Sequence, residues 1–125
     1  MKYRIPSDFT RHGTTVKHAP LKYAPYSQAY VARYYNENGE LYRMDLISYN
    51  TLVACVLANG VTECTGTYSQ TTRRHINRFC REVNEDFNAP LALNYNVCKQ
   101  IYENDMVYNI FTGECTPIYT EEAKS

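Results

Sequence analysis

The 125-residue chain has no tryptophan, no apolar run longer than the seven residues Leu52 to Ala58, and no two cysteines spaced C-x-x-C. Each absence removes a class of protein. A membrane-crossing helix needs about 20 consecutive apolar residues, and the opening "MKYRIPSDF" has no apolar run to serve as a secretory signal, so a soluble, cytoplasmic protein without membrane contact is expected. Five Cys, at 55, 64, 80, 98 and 115, make an odd count that fits a reducing compartment better than a disulfide framework. H-E-x-x-H, G-x-S-x-G, the P-loop and G-x-G-x-x-G are all missing, and His12, His18 and His75 stand in no catalytic signature. The expectation is a protein that is not an enzyme and takes no cofactor or metal.

Thirteen Tyr stand where aromatic content would usually be shared with Trp. Tyr suits both half-buried strands and wet interfaces. Net charge is zero but unevenly spread. Residues 1–81 hold eleven Lys and Arg against five Asp and Glu, and residues 82–125 hold two against eight. Such halves either attract each other within the fold or present a basic surface and an acidic tail.

The length suits one domain. Residues 1–27, with Pro6, Pro20, Pro25 and Gly13, read as an extended arm with at most a short strand. The core is expected over residues 28–112, and residues 113–125 as a loose acidic tail. Asn38-Gly39 and Asn59-Gly60 each divide β-branched and aromatic text and predict two hairpins with two-residue turns. The first would set Tyr35 opposite Tyr42, Arg33 opposite Met44 and Val31 opposite Leu46, with Arg33 on an otherwise apolar face, which implies a sheet edge or a bulge. The second would set Cys55 directly opposite Cys64, within reach of a disulfide, although a reducing compartment favours free thiols. Zinc is rejected, since Cys80 is the only further ligand nearby and His75 projects elsewhere around the helix.

Ser69 caps a long amphipathic helix from Gln70 to about Phe87, its apolar stripe formed by Ile76, Phe79, Cys80, Val83 and Phe87. Asn94 caps a second, short helix, and "MVYNIF" reads as a late strand. The fold class predicted is α+β: an antiparallel sheet of four to five strands with the long helix packed on it. The apolar run of the second hairpin needs cover on both faces, so the N-terminal arm, the second helix or another copy of the chain must supply one, and a homodimer is an open expectation.

Arg73, Arg74, Arg78 and Arg81 crowd the start of the long helix, where the partial positive charge disfavours cations by about 0.3–1 kcal/mol each. Three counterparts would offset that cost: the acidic half of the chain, nucleic-acid phosphates, or an acidic partner protein. For nucleic acid, Lys2, Tyr3, Arg4, Arg11, Lys17, Lys22, Tyr23 and Tyr26 would interleave charge and rings. For a protein, the helix arginines and the hairpin tyrosines Tyr30, Tyr34, Tyr35 and Tyr42 are candidate partner-binding residues.

The stretch "TYSQTTRRHINRF", through Tyr68-Ser69, Thr71-Thr72, His75-Ile76 and Phe79, resembles a pattern in small uncharacterised proteins of phages and mobile elements of gut bacteria. The preceding "ISYNTLVACVLANG" is similar to the strand region of the same family, and the resemblance runs from Ile47 to about Phe79. It implies a small accessory protein in a host bacterial cytoplasm that works by binding. Anti-CRISPR proteins are one such group, and the partner implied is a host protein or ribonucleoprotein nuclease complex. A nucleic-acid-binding or regulatory module using the basic helix face is the alternative.

Overall fold

The computed structural model describes residues 14–66 and 69–118. Lys2, Tyr3, Arg4, Arg11, His12, Tyr68 and the end of the acidic tail lie outside the described residues. Seven strands run in the order β1 (Thr15–Pro20), β2 (Ala29–Tyr35), β3 (Leu41–Ser48), β4 (Thr51–Leu57), β5 (Val61–Cys64), β6 (Met106–Asn109) and β7 (Cys115–Pro117). They form one sheet in which each strand pairs antiparallel with its neighbours in sequence. Helices α1 (Gln70–Asp86) and α2 (Tyr95–Glu103) are inserted between β5 and β6. The fold is α+β, with more strands than the four to five predicted. The added ones are β1, inside the arm, and β7, inside the segment expected to be tail. Proline and exposure hide an edge strand from a periodicity reading, because an edge has little apolar face to alternate.

Both helix caps stand as predicted. Ser69 Oγ accepts from Thr72 N at 3.1 Å, and Asn94 Oδ1 accepts from Val97 N at 3.0 Å. At 17 residues α1 is of ordinary length, not long, and Phe87 closes it. Ile76, Phe79, Cys80 and Val83 are buried against Val31, Met44, Leu46 and Val56. Full burial of Phe79 anchors the helix to the sheet.

The two Asn-Gly turns differ from prediction in the same way. Gly39 N donates to Asn36 O and Gly60 N donates to Leu57 O, both at 2.9 Å, and only the glycines have positive φ, at 78° and 98°. A two-residue type I′ turn requires positive φ at both central residues; these are three-residue loops with a glycine in the left-handed position. The extra residue slips the pairing by one, which exchanges the faces of the sheet. In the second hairpin Cys55 therefore opposes Glu63 and Cys64 opposes Ala54, so the two thiols point to opposite faces and are free. In the first hairpin a bulge between Tyr34 and Tyr35 restores the register, and Arg33 opposes Met44 and Val31 opposes Leu46 as expected. Tyr35 opposes Leu41 instead of Tyr42.

The second helix is not the cover for the far face of the sheet. It packs beside α1, with Cys80 and Cys98 Sγ atoms 3.7 Å apart and Asn84 holding both the N and O of Leu93. On the far face, Tyr34, Arg43, Asp45, Cys55 and Glu63 form a buried row across β2 to β5. Arg43 grips Asp45 with two hydrogen bonds of 2.8 and 3.0 Å and lies 4.9 Å from the centre of the Tyr34 ring. Burial and the Asp45 charge push the Tyr34 phenol up to about 12. No helix among the described residues is long and apolar enough to cross a membrane.

Candidate functional site

The charged side chains of α1 divide by position. Glu82 and Asp86 both bind Arg33, at 2.7 Å each, and Glu82 also accepts the backbone N of Lys22 at 2.8 Å. Glu85 takes Lys22 Nζ at 3.4 Å and the Tyr23 hydroxyl. Those bonds hold the Glu85 carboxyl below its ordinary range. The acidic end of the helix is thus matched by the basic N-terminal half of the chain, and Arg33 sits on the inward face because buried Glu82 is there to receive it.

The four arginines fare unequally. Arg73 stacks on Tyr95 at 4.7 Å, and Arg81 stacks on Tyr23 at 3.7 Å with Glu85 at 3.8 Å. Arg74 and Arg78 are exposed, and no hydrogen bond or ion pair reaches either among the described residues. They flank a small pocket of about 180 Å³ that is also lined by Ala24, Ser27, Thr71 and His75.

His75 is 3% exposed, contrary to the expectation of a side chain projecting away from the apolar stripe. Its Nδ1 lies 2.8 Å from Ser48 Oγ, and Ser48 is buried at the end of β3. Burial pushes the imidazole below its ordinary pKa, so it is neutral at pH 7. Ser48 holds one ring nitrogen, and no other described residue hydrogen-bonds the imidazole. A Ser–His pair also opens a nucleophilic triad. Here Ser48 is nearly inaccessible and no carboxylate among the described residues bonds to the ring, so the contact orients the imidazole.

Next along the chain, Tyr49 and Asn50 join β3 to β4 with φ of 51° and 63°. This is where the two-residue turn with two positive φ values occurs. An aromatic residue in that region is uncommon, and such strain persists where the surroundings enforce it. Tyr49 N donates to Gln28 O at 2.9 Å, and its ring lies 5.8 Å from that of His75 while remaining 55% exposed. Tyr49 also walls an open cleft of about 600 Å³ lined by His18, Pro20, Pro25, Ser27 and Tyr30. Ser27 lines both cavities, so cleft and cationic pocket adjoin. Tyr26, between Pro25 and Ser27, is 99% exposed.

Among the residues expected to contact a partner, Arg74, Arg78 and Tyr30 border this region. Arg73 and Arg81 are stacked nearby. Tyr34 is buried in the far-face row, Tyr35 packs under Lys17 at 5.2 Å, and Tyr42 bonds Thr14 at 2.9 Å, so these three do not join the helix arginines on one surface. Sequence reasoning missed Ser48 and Tyr49, and it set His75 aside as turned away from the core. The signal available was Tyr49-Asn50 between two strand-like runs, Asn being at home in left-handed backbone.

The sequence pattern of DUF8033, a family of unknown function, matches residues 16–92, more than half of the chain. The chain belongs to the DUF8033 family. The DUF8033 match spans Ser48, Tyr49, Arg74, His75 and Arg78, and stops before α2. No curated protein and no solved structure matches the chain.

Proposed function

We propose that this DUF8033 protein acts by binding a protein partner through the start of α1 and the adjoining tyrosines, and not by catalysis. The observation that carries the reading is the pair Arg74 and Arg78, unmatched among the described residues and standing beside Tyr26 and Tyr49 in a helix whose other charges are largely engaged. Tyr and Arg are the side chains most often found as interface anchors, because both combine large contact area with directional polar groups. An acidic surface would offset the charge that the helix start disfavours. The resemblance over Ile47 to Phe79 supplies the setting: a phage or mobile-element accessory protein in the host cytoplasm, with a defence nuclease complex, as for anti-CRISPR proteins, as the partner class to test first.

The test is capture by the tagged protein of a nuclease complex from nuclease-treated lysate of a CRISPR-bearing host, followed by a cleavage assay. Retention at both low and moderate salt, inhibition of cleavage, and loss of both in the Arg74→Glu, Arg78→Glu variant with unchanged melting temperature are expected. A variant that binds as well as the parent removes the helix from the interface. Recovery of no protein, paired with retention of nucleic acid when the lysate is left without nuclease and with affinity falling at a log–log salt slope of about −0.9 per phosphate contact, would replace the reading with the nucleic-acid alternative.

A further inference from the structure

We propose that the small pocket and the adjoining cleft form a site for a nucleotide, the phosphate entering between Arg74, Arg78 and His75 and the base lying in the cleft against Tyr30 and Tyr49. The inference stands on the cavities and not on the partner surface above, with which it shares two arginines. Polar groups of three kinds line the pocket: two guanidinium groups with no hydrogen-bond or ion-pair partner among the described residues, the buried imidazole of His75, whose Nδ1 is held by Ser48, and the Thr71 hydroxyl. A phosphate presents three strong acceptor oxygens and can meet all of these together, whereas a carboxylate has two in one plane. Because His75 is 3% exposed, a group must enter the pocket to reach it, which a flat protein surface does not do.

The cleft decides between a bare anion and an organic phosphate. At about 600 Å³ it falls within the range of small-molecule sites, and its walls carry two tyrosine rings, two prolines and His18. Aromatic rings of this kind stack bases without selecting among them. The Tyr49 ring touches His75 on one side and the cleft on the other, so the strained turn that holds it joins the two halves of the site. Inorganic phosphate would use only the pocket, and a nucleoside only the cleft.

Titration calorimetry on the isolated full chain, with AMP, adenosine and inorganic phosphate as probes, tests this without reference to any partner. AMP is expected to bind at least tenfold more tightly than adenosine or phosphate. The Arg74→Gln, Arg78→Gln variant should lose at least tenfold for AMP, and Tyr49→Ala should lose severalfold for AMP but not for phosphate. His75 ring resonances should shift with AMP and phosphate and not with adenosine, a signal that survives if a variant is poorly folded, since it is read on the parent protein. Equal affinity for AMP and adenosine, equal affinity for AMP and phosphate, or no binding at millimolar concentration would each overturn the proposal. A short single strand carrying a 5′-phosphate separates the two sources of this chemistry: binding tighter than AMP identifies a nucleic-acid end, and weaker binding identifies a free nucleotide.

Discussion

The two ends of α1 carry charge of the sign that a helix disfavours, arginines toward the start and carboxylates at the finish, yet among the described residues only the finish is matched by opposite charge. At the finish, Glu82, Glu85 and Asp86 receive Arg33, Lys22 and Tyr23 from the N-terminal half. At the start, Arg73 borrows the Tyr95 ring, while Arg74, and Arg78 one turn further on at the middle of the helix, have no hydrogen bond or ion pair among the described residues. An unfavourable charge that is matched internally belongs to folding. One left unmatched among the described residues, beside exposed tyrosines and a cavity, is what the binding proposals above rest on.

The largest effect should come from removing what both ends share. Phe79→Ala should cost about 3–5 kcal/mol in urea unfolding, since the buried ring anchors the whole helix; a loss under 1 kcal/mol would mean that the ends, not the middle, hold α1. Arg33→Ala breaks the matched end alone. It leaves Glu82, 2% exposed, without its cation and should cost about 3 kcal/mol. If stability hardly changes, the contrast between the ends disappears. Tyr49→Asn should raise stability by about 1 kcal/mol by relieving strained backbone, while weakening capture or nucleotide binding; a destabilised variant would show that the ring contact with His75 outweighs the strain.

The smallest effect is in pH. The folded His75 pKa lies below the unfolded value, so the unfolded chain binds more protons as pH falls through the ordinary histidine range. The contribution of neutral His75 is present above about pH 6.5 and declines below it. Melting temperature followed from pH 7.5 to 5.5 should fall less for His75→Gln than for the parent. Equal slopes would assign the acid loss to other groups.

Much of this arrangement was legible beforehand. Ser69 and Asn94 announced both helices, and the stripe from Ile76 to Val83 announced which side would meet the sheet. The misreadings share a cause. Asn-Gly marks a turn but does not state its length, and one residue of loop length moves Cys55 and Cys64 to opposite faces. Arg33 looked like an error of register until Glu82 supplied its counterion from a distant segment. His75 was read as turned away from the core because its burial depends on Ser48 and Tyr49 arriving from β3 and the turn after it. Long-range matches of that kind leave no periodic trace, and both the paired end of the helix and the candidate site depend on them.

Every strand in the sheet pairs with the one before it and the one after it, which has a consequence for how the chain can be assembled and shortened. As synthesis proceeds, each new strand finds its docking edge already in place, and closing each loop requires little sequence separation except at the helical insertion. The family match ends before α2, at a point where β1 to β5 and α1 have all been made. In such an accretive architecture α2, β6 and β7 come later, extending the sheet from the β5 edge and completing the core with Cys98, Ile101 and Ile110, and the candidate site lies wholly in the part built first.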